Sequence, residues 1–252
     1  MLRRILLAAA FFLSPLLTSA HVPYLDDYNI HNSYGSAFAF PDNIYSRALC
    51  TTTRCPPRTF QRNSTSSHTG GYRKLWSPES WSKVYLQAGE NLHFEFGVPH
   101  IPALEYPSFR PTVYLLGKCL PSPDVFGHPK PQEIEYPSFD LPPNYHFKAL
   151  RFHLADPIWE PTKFHERHLG ATFLSYLNYT VPVGCDGYVY IVVETYEKRV
   201  VEFYVAVGKK DEFPPYENTD GIASIEDTKA WADGDIPGVG RYCQKKGIWE
   251  RE

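Results

Sequence analysis

The segment NLHFEFGVP sets Leu92, Phe94, Phe96 and Val98 against His93, Glu95 and Gly97 in strict alternation. A period of two places every apolar member on one side of an extended chain, so the pattern predicts a β-strand with one buried face. LRFHLAD repeats the device, with Leu150, Phe152 and Leu154 opposed to Arg151 and His153. GYVYIVVETY and RVVEFYVAVG are richer still in β-branched and aromatic residues, and the short polar connection around Glu197 and Lys198 predicts that the two form a hairpin. RPTVYLLG reads as a further short strand. In TFLSYLNYTV, a glycan on Asn178 would require a solvated face, which leaves Phe173, Leu177, Tyr179 and Val181 to point inward. Only ASIEDTKAWADG predicts a helix, with Ser224 as N-cap and Asp227 three residues later near the positive end of the helix dipole.

Many short strands with little helical periodicity imply an all-β chain, a β-sandwich or jelly-roll-like fold with at most one or two short helices. Residues 51–80 and 120–145 lack periodicity and read as long loops. The 23 prolines and an aromatic share of 15% agree with strands and structured turns. The pentapeptide EYPSF occurs at 105–109 and 135–139, but the copies diverge at once and support no repeat architecture.

The first twenty residues add an address. Arg3 and Arg4 precede an apolar run from Ile5 to Leu17, and Thr18 and Ala20 are the small residues that a signal peptidase accepts. Residues 1–20 are therefore expected to be a signal peptide, 21–213 one β-sandwich domain or two packed sub-sandwiches, and 214–252 a C-terminal extension. The apolar run is too short to span a bilayer comfortably, so no transmembrane anchor is expected. Losing Arg3 and Arg4 takes the formal charge from −3 to −5, and no Lys/Arg cluster remains that resembles a phosphate-binding surface, which argues against nucleic acid.

Five cysteines in an exported chain can pair. Cys50 and Cys55 flank a stretch that could fold back as a turn, Cys119 and Cys185 sit at expected strand ends, and Cys243 is left over. The sequons at Asn63 and Asn178 suit a glycoprotein, although such triplets also arise by chance.

Candidate chemistry is sparse. Cleavage after Ala20 would leave His21 as the mature amino terminus, whose amine and imidazole could bind one copper ion together with a second histidine. No spacing chooses among His93, His100, His146, His153, His165 and His168 for that second ligand, and His21 could equally be no more than the residue after the cut. His165 and His168, three apart in HERH, would share a side of a helical turn and could hold a metal with Glu160 or Glu166; the plainer reading is a polar loop. The sequence has no G-x-S-x-G elbow, no H-E-x-x-H and no Gly-rich phosphate loop. Trp76, Trp81, Trp159 and Trp231, with Tyr72 and Tyr145, lie in or beside polar stretches, and aromatics of this kind stack sugars or dock partners when they are exposed.

The islands AHVPY, LWSPESWSKVYLQAGENLHFEFGVPHIP, FRPTVYLLGKCLP, IWEP, GYVYIVV and EFYVAVGKKDEF fall in order between about residues 20 and 213. In these the chain resembles a group of uncharacterised secreted or surface proteins, mostly bacterial, that begin A-H-x-P-Y, carry F-x-P-T-x-x-x-x-G-P-G-L-P and end in Y-x-V-x-x-G-x-x-E-F. The N-terminal half of this group looks like the bacterial pre-peptidase C-terminal type of β-sandwich, in the run that Ser82 to Val98 match here. The resemblance implies an exterior β-sandwich and no particular reaction. GKCLP replaces the group's G-P-G-L-P, and Cys185 stands before DGYVYIVV; both departures suit an added disulfide. The expected role is a secreted, non-enzymatic protein that binds a surface partner or carbohydrate and needs no cofactor, with Trp76, Trp81, Trp159 and Tyr145 as binding aromatics. The alternative is a copper protein, oxidative or not, built on His21.

Overall fold

The computed structural model describes residues 21–26, 31–53, 78–101, 109–141, 146–167, 169–195, 201–210 and 222–234. In chain order the strands are β1 (Val22–Asp26), β2 (Phe38–Phe40), β3 (Arg47–Thr52), β4 (Glu79–Leu86), β5 (Asn91–Pro99), β6 (Thr112–Gly117), β7 (Gln132–Ile134), β8 (Lys148–His153), β9 (Thr162–Glu166), β10 (Ala171–Pro182), β11 (Gly187–Glu194) and β12 (Glu202–Val207), followed by helix α1 (Ile225–Ala232). They form two six-stranded sheets, the first in the order β1-β3-β12-β5-β10-β9 and the second in the order β2-β4-β11-β6-β8-β7. Most neighbours are antiparallel; β1 with β3 and β2 with β4 are parallel. The chain is an all-β sandwich, and no helix among the described residues is long and apolar enough to cross a membrane.

The alternating residues build the core. Leu92, Phe94, Phe96 and Val98 of β5 are fully buried and meet Leu150 and Phe152 of β8 between the sheets. Phe94 and Phe152 pack edge to face with centroids 5.8 Å apart, an arrangement that adds aromatic attraction to the burial.

Some expectations fail for identifiable reasons. β11 and β12 do not form a hairpin: β11 lies between β4 and β6, whereas β12 lies between β3 and β5 in the other sheet. Every residue of β12 is buried, as suits a central strand covered on both faces. Phe173 does not point into the core either. The pairing of β10 with β5 shifts register between Ser175 and Leu177, so Tyr176 is an extra residue that reverses parity along the strand. Leu174, Tyr176, Leu177 and Val181 belong to the intersheet core, and Phe173 lies on the outer face.

That outer face is covered. The N-cap of α1 forms as the sequence predicts, with Ser224 accepting from the Asp227 amide at 3.0 Å. The helix lays Trp231 over the first sheet, where the indole donates to the Thr51 carbonyl at 3.0 Å and stacks on Phe173. Residues 225–232, expected within a C-terminal extension, are thus part of the packed domain. The expected loop 120–145 contains β7 and a short 3-10 turn, Pro123–Phe126.

Cys119 and Cys185 form a disulfide between the turn that follows β6 and the turn that precedes β11. The Cys50 and Cys55 pairing fails: the strand runs on through Thr52, using the residues that a turn would need, and Cys50 is a free, buried thiol among Ala48, Phe173 and Trp231. Cys55 lies outside the described residues.

Candidate functional site

The outward positions of β5 are His93, Glu95 and Gly97, and the most unusual is Glu95. It is a carboxylate left only 3% exposed on the face that alternation would give to water. Gly97 explains how it is covered. A Cβ there would come within 2.5 Å of the Tyr204 hydroxyl and 2.6 Å of the Leu174 carbonyl, so the missing side chain is what lets the Tyr204 ring lie across β5. From that position Tyr204 donates its hydroxyl to Glu95 Oε1. His21 covers the other side: its Nε2 is 3.3 Å from Glu95 Oε2, and its Nδ1 is hydrogen-bonded to Ser46 Oγ. The Ser175 hydroxyl, which donates to the Leu177 carbonyl at 3.5 Å, lies beside the carboxylate.

The electrostatics follow from this shell. Burial alone would push the Glu95 carboxyl upward, but the hydrogen bond and charge of His21, with the bond from Tyr204 and the nearby Ser175 hydroxyl, outweigh it and hold the pKa below the ordinary value. Burial and the adjacent Glu95 charge drive the Tyr204 phenol well above its ordinary range, so it stays a donor. His93, bonded through Nδ1 to Thr180 Oγ1 at 2.7 Å, is lowered chiefly by burial; Glu95 opposes that shift, and His21 and Lys209 add to it.

Glu95 and Ser175 are also the floor of a groove of about 840 Å³ at the β9 edge of the first sheet. Trp159, Phe164, Tyr176 and Tyr179 supply aromatic walls, and Glu160, Asn178, His165 and Arg167 line it with polar groups. The groove exists because β9 is short: it pairs with β10 only from Ala171 to Ser175, and the bulge at Tyr176 marks where that pairing stops. Apolar walls around a few fixed polar groups are the usual composition of a ligand site.

The sequence-derived candidates are distributed unevenly. His21 is in the network. His165 lines the groove, but on strand β9, bonded to Thr172 Oγ1 at 3.2 Å, not on a helical turn. His168 lies outside the described residues. Among the described residues no three His, Cys, Asp or Glu side chains converge as a metal site. Both ring nitrogens of His21 are engaged by oxygens of the protein, so the imidazole as placed does not offer the nitrogen that a copper brace needs.

Of the binding aromatics, Trp81 is 1% exposed and is packed against Phe139 and Tyr190, so it cannot stack a ligand. Trp159 is 4% exposed and contributes only as groove wall. Trp76 and Tyr145 lie outside the described residues, as does Asn63. Asn178 is exposed and lines the groove.

Sequence reasoning passed over the Glu95, Tyr204, Ser175 and Ser46 set. One signal was present: a glutamate two residues from a glycine inside an otherwise bulky strand, where glycine commonly marks close approach by another group. The open aromatic pair was also missed. Tyr85 and Tyr188, cross-strand partners on β4 and β11, are 50% and 40% exposed with ring centroids 5.4 Å apart. Neither a scan against protein-family models nor a search of curated proteins finds a match for this chain.

Proposed function

We propose that the chain is a secreted, non-enzymatic β-sandwich protein that binds a surface partner or carbohydrate, and that the groove beside β9 is its binding site. The observation that carries this reading is the composition of the groove: aromatic walls from Trp159, Tyr176 and Tyr179 over a floor whose carboxylate is already held by His21 and Tyr204. Such a floor is pre-organised, so a ligand meets fixed polar groups and orders few side chains on binding. The signal-like first twenty residues and the Cys119–Cys185 disulfide support an exported protein, because disulfides persist in oxidising compartments.

The test is a screen of the secreted protein against arrayed glycans and arrayed peptides, alongside Thr162→Trp, which fills the groove from the exposed start of β9. At least one ligand should be held by the parent and lost by the variant, with unchanged far-ultraviolet circular dichroism. Binding that survives the filled groove, or no binding to either array, overturns the reading. The copper alternative is checked by calorimetry on protein beginning at His21. Weak, non-stoichiometric uptake is expected, because the ring is committed to Ser46 and Glu95; tight one-to-one binding would restore the rival.

A further inference from the structure

Taking the groove as the binding site, we infer that its occupant is an extended peptide that adds a strand to the free edge of β10, with apolar and basic residues in alternation. β10 is twelve residues long, and β5 pairs with it on one side from Phe173 to Pro182. On the other side β9 pairs only from Ala171 to Ser175. From Tyr176 to Val181 that side has no strand partner among the described residues, and Tyr176, Asn178 and Tyr179 of this run line the groove. Exposed edges of this kind template strand addition, and proteins usually blunt them with lysine or proline. The run YLNYTV contains neither, and Pro182 comes only at its end.

The groove also specifies the peptide. A strand laid antiparallel to β10 opposite 176–181 would be collinear with β9 and would stop where Thr162 begins opposite Ser175, which fixes its register. Six residues span about 20 Å. Alternate side chains of such a strand face opposite sides. One set would meet the aromatic wall of Trp159, Tyr176 and Tyr179. The other would lie beside Asn178 on the outer face. The exposed acid on this stretch is Glu160, which precedes β9 and lines the groove; Glu95, across from Asn178, is buried and already held by His21 and Tyr204. His165 and Arg167 belong to the far end, where His165 stands opposite Thr172. Basic residues in the peptide therefore complement Glu160, and backbone pairing supplies the affinity common to strand-addition complexes.

The probes are capped hexapeptides of alternating lysine and valine, the glutamate and valine counterpart, and two lysine and valine isomers methylated on alternate backbone nitrogens, odd or even. Titration uses the secreted full chain. One methylated isomer should lose at least about tenfold in affinity while the other stays near the parent, because an edge strand donates from every second amide. Glu160→Gln should weaken the lysine peptide by about threefold. Equal binding of both methylated isomers, or of the glutamate peptide, overturns the inference. Failure of all the peptides alongside glycan binding that Thr162→Trp abolishes would also sink it, while leaving the groove as the binding site.

Discussion

Glu95 shows how much one position depends on its surroundings. Its charge is tolerated because His21 and Tyr204 hydrogen-bond to it, and removing one leaves a buried acceptor short. Tyr204→Phe is therefore expected to cost about 1–3 kcal/mol of stability, read from urea unfolding. Gly97→Ala should destabilise in the same direction, because the added methyl displaces the ring that makes the bond. The pH dependence can be signed as well. His93 has a folded pKa below its ordinary 6.5, so its contribution is complete above that pH and declines as pH falls. Glu95 is held below 4.5, so its contribution is complete above that value and is lost on further acidification through the folded pKa. Stability should fall in two stages from neutrality. His93→Asn should flatten the first and Glu95→Gln the second, as measured by unfolding at fixed pH steps.

Among the elements, α1 is the cover on which the outer face of the first sheet depends. Trp231→Ala removes a fully buried indole and its bond to Thr51, an expected loss of about 3–5 kcal/mol. Cys50 reports on the same contact. Burial pushes its thiol far above the ordinary range, so native protein should leave Cys50 unlabelled by a thiol reagent, whereas Trp231→Ala should speed its labelling in mapped peptides. Replacing Cys119 and Cys185 by serine opens a connection across a sequence separation of 66 residues and should cost roughly 4 kcal/mol on chain-entropy grounds. The strands themselves were legible because period-two burial is a local property, and the helix because its cap lies within four residues. Their partners were not: β11 and β12 are adjacent in sequence yet belong to different sheets, a choice made by residues far along the chain.

For the whole molecule, the groove follows from unequal lengths: β9 has five residues and β10 twelve, and past the bulge at Tyr176 the surplus has no strand partner on that side among the described residues. No local pattern announces such a mismatch. The sequence alone determined that Leu92, Phe94, Phe96 and Val98 share a face and that Ser224 caps a helix. Each of these follows from neighbours a few residues away. Tertiary structure decided that Phe173 turns outward, that Trp81 is sealed in, and that Glu95 is covered by His21 and Tyr204, which are 74 and 109 residues distant. Alternation can say that a side chain leaves the core, but whether water or another part of the chain meets it there depends on how the sheets and helix assemble.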